Sequence, residues 1–116
     1  MQYALLIYTD ETQDTQATPE EMNQVMAAYN AFGEQYKDQI TGGEALNPTS
    51  SATTVRVRDG KSLTTDGPFA ETKEQLGGFY LVKAANLDEA IAIAANIPGA
   101  KFGSVEVRPV MEFGEE

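Results

Sequence analysis

Two stretches of the chain that read as strands are apolar on both sides. In residues 2–8, Tyr3, Leu5 and Ile7 alternate with Ala4, Leu6 and Tyr8, and residues 79–82 run Phe-Tyr-Leu-Val without a polar break. A strand with one wet face alternates apolar with polar residues, so strands of this kind require cover on both faces. The chain offers two helices for that task. Thr18-Pro19-Glu20-Glu21 opens the first, with Thr18 as cap, Pro19 in the first turn and Glu21 as the reciprocal partner three residues on. Met22, Val25, Met26, Tyr29, Phe32 and Tyr36 follow at helical spacing and are expected to pack into the core. Asn86 caps the second helix with Glu89 as its partner; Leu87, Ala90, Ile91, Ala94 and Ala95 form its expected buried stripe, and Pro98-Gly99 ends it. Two short helices cover one face of a sheet. The other face needs a second layer, and a second copy of the chain is the simplest source.

The remaining segments complete the order β-α-β, hairpin, β-α-β. Thr9 to Thr18 is polar and reads as a loop, with Asp10 and Glu11 at the carboxyl end of the first strand, a place where sites gather. Ile40 to Leu46 reads as a strand entered or bent at Gly42-Gly43, with Glu44 its one charged residue, followed by the turn-rich Asn47 to Ser51. Thr53 to Asp66 reads as a hairpin. A two-residue Asp59-Gly60 turn sets Arg56 opposite Leu63 and mixes the faces. A three-residue loop of Arg58, Asp59 and Gly60 pairs Val55 with Leu63 and Thr53 with Thr65, keeps the apolar residues together, and is the expected register, with Gly60 left-handed in a bulge. Ser104 to Met111 is the last strand, with Val105 and Val107 on one face and Ser104, Glu106 and Arg108 on the other. Glu112 to Glu116 reads as a frayed acidic tail.

Composition removes several function classes. The 116 residues suit one domain, 1–116, with a core of its own. There is no cysteine and no histidine, so thiolate chemistry, disulfides, imidazole acid/base work and Cys- or His-based metal sites are excluded. A net charge of −10 disfavours phosphate backbones and anionic membranes. The apolar N-terminal run is far shorter than the roughly 20 residues of a spanning helix and has no basic flank or cleavage site, so neither a signal peptide nor a spanning helix is expected; with no cysteine, a cytoplasmic protein is the natural expectation. No Gly-rich phosphate loop, metal spacing or cofactor motif is present, and neither a cofactor nor a metal is expected.

The densest polar chemistry lies in D-G-P-F-A-E-T-K-E-Q-L-G-G-F, residues 66–79. With Y-L-V after it, this stretch resembles the signature of the DGPF branch of YCII-related proteins. Y-A-L-L-I-Y-T-D-E at 3–11, P-E-E-M at 19–22, G-G-E-A-L at 42–46 with Pro48, A-T-T-V-R-V-R-D-G at 52–60 and G-S-V-E-V-R-P-V at 103–110 extend the similarity along nearly the whole chain. The resemblance implies a small bacterial protein with a ferredoxin-like α+β fold: an antiparallel sheet with two helices on one face, of the dimeric α/β-barrel type. It also implies an activity that is not settled for the branch and, through an association with extracytoplasmic-function sigma factors, a regulatory partner as one option. A histidine–aspartate dyad of some YCII-related proteins has no counterpart here, since histidine is absent.

Two readings of the signature stand side by side. In the structural one, Asp66 accepts backbone N–H bonds in a turn shaped by Gly67 and Pro68, Phe69 plugs the core, and Glu71, Thr72, Lys73 and Glu74 form a solvated turn with a weak ion pair. In the functional one, Asp66 and Glu71 are acid/base carboxylates, while Arg108, Glu44, Lys73 and Phe69 bind a ligand. Arg108 alternates with valines and calls for a carboxylate or an anion; Glu44, Glu106 and Asp66 are the internal choices, and Glu44, Asp66 and Arg108 are expected to converge at one end of the sheet. The function that fits best is a homodimeric small-molecule-binding or accessory protein for a small polar ligand. The alternative is a small metal-independent enzyme that uses carboxylate acid/base chemistry on a compact polar metabolite.

Overall fold

A computed structural model describes residues 1–14 and 17–113. The expected acidic tail therefore lies largely outside the described residues, as does part of the Thr9 to Thr18 loop. The elements are β1 (Gln2–Thr9), a single helical turn α1 (Glu11–Asp14), α2 (Pro19–Gln35), β2 (Ile40–Ala45), the hairpin strands β3 (Thr53–Arg58) and β4 (Lys61–Asp66), β5 (Gln75–Lys83), α3 (Leu87–Ala95) and β6 (Ser104–Pro109). Short 3-10 turns at Thr49–Ser51 and Pro98–Lys101 precede β3 and β6.

Strands β2, β5, β1 and β6 form one sheet in that order, and every neighbouring pair is antiparallel. This is the ferredoxin-like α+β arrangement, with the two-stranded β3–β4 arm inserted between β2 and β5. Both helix starts form as their sequences dictate. The Thr18 hydroxyl accepts from Glu21 N at 3.1 Å while the Glu21 carboxylate accepts from Thr18 N at 2.9 Å. The Asn86 side chain accepts from Glu89 N, and Glu89 in turn accepts from Ala85 N at 2.7 Å. Such caps contribute about 1 kcal/mol each, enough to fix where a short helix begins.

The core lies on one face of the sheet. Tyr3, Leu5 and Ile7 of β1 and Val82 of β5 are buried against Phe32 of α2, Ala90, Ile93 and Ala94 of α3, and Ile97. Phe32 makes tilted ring contacts with Tyr36 and Tyr80, centroids 5.2 and 5.0 Å apart. On the opposite face Ala4, Leu6, Phe79 and Leu81 are only half buried, and among the described residues none of them joins the core cluster that the helices cover. The shape agrees with a missing layer. The molecule is 18 Å thin against 50 and 46 Å in its other dimensions, room for a sheet and one layer of helices. Its radius of gyration, 16.3 Å, exceeds the ~13 Å of a compact chain of this length.

Four expectations are corrected. Of the α2 stripe only Phe32 is buried; Met22 and Met26 are 55 % and 63 % exposed, while Tyr29 and Tyr36 pack half-buried against the core. The buried line of α3 is Ala90, Ile93 and Ala94, with Leu87 and Ile91 exposed: the helix turns so that Ile93, rather than Ile91, meets the sheet. The arm takes the two-residue register, with Arg58 opposite Lys61 and Arg56 opposite Leu63. Asp59 (φ 55°) and Gly60 (φ 76°) are both left-handed, the primed turn whose twist matches that of the flanking strands. Every β4 residue and all but one of β3 are exposed, so no buried face decides the register and the turn chemistry does. Lastly, β5 begins at Gln75 instead of after the glycine pair. A side chain at Gly78 would sit 3.0 Å from the Glu44 carbonyl, so glycine there lets β5 run close beside β2.

Gly60 has open space around it and a left-handed backbone. Gly60→Ala is therefore expected to destabilise the arm by about 1 kcal/mol through backbone strain alone, read as roughly five-fold faster amide exchange in β3 and β4 with the core amides unchanged. Unchanged or slower arm exchange contradicts the primed turn.

Candidate functional site

Where β1 ends, its backbone feeds a set of short polar contacts. The Asp10 carboxylate accepts from Thr12 N at 3.0 Å and Thr12 Oγ1 at 2.6 Å, closing the single turn α1. These two bonds hold the Asp10 carboxyl below its ordinary range, with a smaller contribution from the charge of Lys73. Glu11 reaches across to the 3-10 turn after β2, where its carboxylate accepts from Thr49 N at 3.0 Å and Thr49 Oγ1 at 2.7 Å. The loop after β1 and the loop before the arm are thereby tied together.

The arm is fixed at its root. Gly67 N donates to the Ala52 carbonyl at 2.7 Å, and Thr54 Oγ1 donates to the Gly67 carbonyl at 2.8 Å. Gly67 is at φ 102°, which a side chain would strain, so the glycine of D-G-P-F is needed by the backbone. The chain then returns to the sheet through Pro68, Phe69 and Ala70. Between arm and sheet lies a cleft of about 580 Å³, in the usual range for small-molecule sites. Thr53, Thr54, Pro68, Phe69 and Ala70 form its arm side; Tyr8, Leu46, Gln75 and Leu76 form its sheet side; Pro48, Thr49 and Ser51 lie between.

Of the residues singled out in the sequence, Phe69 lines this cleft, and at 80 % exposure it is not a core plug. Glu71 and Lys73 are exposed and flank Thr72, itself part of the lining. Asp66 is exposed and paired with Thr53 in the arm register, just before the clamped glycine. Glu44 and Arg108 are not brought together: they occupy β2 and β6, the two outer strands of the sheet, about three strand spacings or ~14 Å apart. Arg108, 65 % exposed, binds Glu106 on its own strand through both Nε, at 2.8 Å, and a terminal nitrogen. The arginine's charge is thus met within one chain, and the bond to Glu106 raises its pKa further.

Tyr8 was not among the sequence candidates, yet it joins two regions. Its ring lines the cleft, it lies on the uncovered face of β1 with Ala4 and Leu6, and its hydroxyl donates to Glu106 at 3.5 Å. The signal was its place at the end of a strand apolar on both faces. Thr49 and Ser51 were likewise missed, since turn residues carry no pattern that points at a cleft. Among the described residues no three acidic side chains gather in a set able to hold a metal ion, and no helix is long and apolar enough to cross a membrane.

Three comparisons bear on this arrangement. The family model described as "YCII-related domain" matches residues 1–114. An uncharacterized protein of Rhizobium meliloti is 43 % identical over 114 residues, covering 95 % of this chain and 92 % of that protein. Among solved structures, 5-chloro-2-hydroxyhydroquinone dehydrochlorinase from Burkholderia phenoliruptrix, in complex with 2,5-dihydroxybenzoquinone, is similar in fold, with a TM-score of 0.53 over 97 % of this chain and 96 % of that one at 18 % identity.

The depressed Asp10 carboxyl has a consequence for acid. Its pKa lies lower in the folded chain than in the unfolded one, so its contribution is fully present above the ordinary value of 3.8 and is lost as pH falls through the folded value. Carbon-detected NMR titration is expected to place Asp10 below 3.8, with Thr12→Val moving it back toward that value. A midpoint unchanged by Thr12→Val contradicts this turn.

Proposed function

Because the chain belongs to the YCII-related family, we propose that it is a homodimeric small-molecule-binding protein whose ligand occupies the cleft between the root of the arm and the end of the sheet. The observation that carries the proposal is Tyr8, which belongs both to the uncovered sheet face and to the cleft. A second copy laid on Ala4, Leu6, Phe79 and Leu81 buries the half-exposed face and reaches the cleft at Tyr8, so assembly and ligand site are continuous. In this arrangement Phe69 packs on the ligand, Glu71 and Lys73 border it, and Arg108 acts through Glu106 on the Tyr8 hydroxyl. Glu44, opposite Phe79 on β2, lies at the rim of the same face that the second copy buries. A cytoplasmic location belongs to the same proposal.

A second reading, a small enzyme, draws on the dehydrochlorinase activity of the neighbour of similar fold. Fold alone does not carry an activity across 18 % identity, and the chemistry has to be found in this chain's own residues. Asp66 and Glu71 are its acid/base candidates. The cleft lining itself holds no carboxylate, which favours binding over acid/base catalysis.

Light scattering at micromolar concentration is expected to give about twice the chain mass of 12.5 kDa, with Leu6→Lys returning it to the single-chain value. A wild-type monomer overturns the assembly. For the site, compounds that raise the melting temperature in a metabolite screen are expected to lose most of that effect on Phe69→Ala, whose ligand-free melting stays unchanged because the ring is exposed. Turnover of any hit that is abolished by Glu71→Gln moves the conclusion to the enzyme.

A further inference from the structure

The cleft's hydroxyl groups are nearly all committed in one direction. Thr49 Oγ1 donates to Glu11 Oε1 at 2.7 Å, Ser51 Oγ to the Pro48 carbonyl at 2.8 Å and Thr54 Oγ1 to the Gly67 carbonyl at 2.8 Å. Thr72 Oγ1 donates to the Glu74 carbonyl, and Tyr8 Oη to Glu106 Oε1 at 3.5 Å. Each partner is a carbonyl or a carboxylate, which only accepts, so the hydroxyl proton in every pair must point into the protein. What remains on these five oxygens is lone pairs. Gln75 spends one amide hydrogen on the Thr72 carbonyl at 2.6 Å, leaving its oxygen and its second N–H; the Asn47 amide and the Thr53 hydroxyl are the other side-chain donors of the lining.

The lining also contains no Asp, Glu, Lys or Arg, and the chain's net charge of −10 works against anions near it. Its apolar part is flat or branched: Phe69, Tyr8 and Pro68 with Leu46 and Leu76. A ligand matched to such a surface is neutral, has a face to stack on aromatic rings, and brings its own hydrogen-bond donors. A molecule that offers only acceptors finds donors at Asn47, Thr53 and Gln75 and leaves the five committed hydroxyl oxygens unsatisfied where it buries them.

Resting on the cleft as the ligand site, we propose that it selects neutral hydroxylated ring compounds, which donate their O–H groups to oxygens of the lining such as those of Thr54 and Ser51 while the ring packs on Phe69.

Three probes built on one benzene ring separate the possibilities: resorcinol, its dimethyl ether and benzoate. Titrations followed by the methyl resonances of Leu46 and Leu76 are expected to show resorcinol binding at least ten-fold more tightly than the ether, with benzoate weaker still. Thr54→Val and Ser51→Ala, made separately, are each expected to weaken resorcinol about three-fold and leave the ether unchanged; two sites guard against one variant loosening the arm. If the ether binds as well as resorcinol, or benzoate binds best, the donor preference is overturned while the cleft stands as a ligand site. If none of the three shifts these methyls, the preference and the site fall together.

Discussion

A single sheet with helices on one side leaves half of its apolar residues without a partner, and most of this protein's organisation is a response to that. Leu5 and Leu6 are adjacent on β1 and chemically identical, yet Leu5 is fully buried under α2 and α3 while Leu6 looks out from the bare face. Apolar burial is worth about 25 cal/mol per Å², so a half-exposed row of Leu, Phe and Ala across two central strands is a standing drive toward association. The uncovered arm points the same way: a two-stranded hairpin is marginal in water without something to pack on.

The candidate site sits where these unfinished surfaces meet. The arm leaves the sheet through one short connection and returns through another, and Gly67, held between Ala52 and Thr54, fixes its angle at the root. Glu11 ties the loop after β1 to the same place through Thr49. Gly78 lets β5 lie close against β2, which brings Leu76 and Gln75 back to the cleft. The D-G-P-F stretch is thus mainly a device for holding a hairpin at a set angle to a sheet. In the proposed function, the space that angle leaves is the binding site.

What was legible in the sequence was local. Strands apolar on both faces, the capping residues of both long helices, the bend at Gly42-Gly43 and the alternation of Val105 and Val107 with Glu106 and Arg108 all depend on neighbours a few residues apart, and all appear as expected. Misreadings came where distant packing decides. The α2 stripe has correct helical spacing, but no local signal shows that Met22, Val25 and Met26 stay exposed while Phe32 is buried. Ile91 and Ile93 are equally apolar, and only the helix's rotation against the sheet separates them. The arm register went wrong because burial was assumed to choose it, whereas neither arm face is buried and an Asp-Gly turn has a preference of its own. Arg108 found a carboxylate two residues away on its own strand, an arrangement that removes the need for convergence with Glu44. Phe69 was a ligand-binding candidate in the sequence, whereas Tyr8 joined the cleft lining only when the arm was placed beside the sheet.

The central claim is that the bare sheet face meets the same face of a second copy. Isotope-filtered NOE spectroscopy on a mixture of labelled and unlabelled chains reads that contact directly. The account predicts intermolecular NOEs from the Leu6 and Leu81 methyls to the Phe79 or Tyr8 ring of the other copy. Intermolecular NOEs confined to Met22, Val25 and Met26 of α2, or none at all, would contradict it.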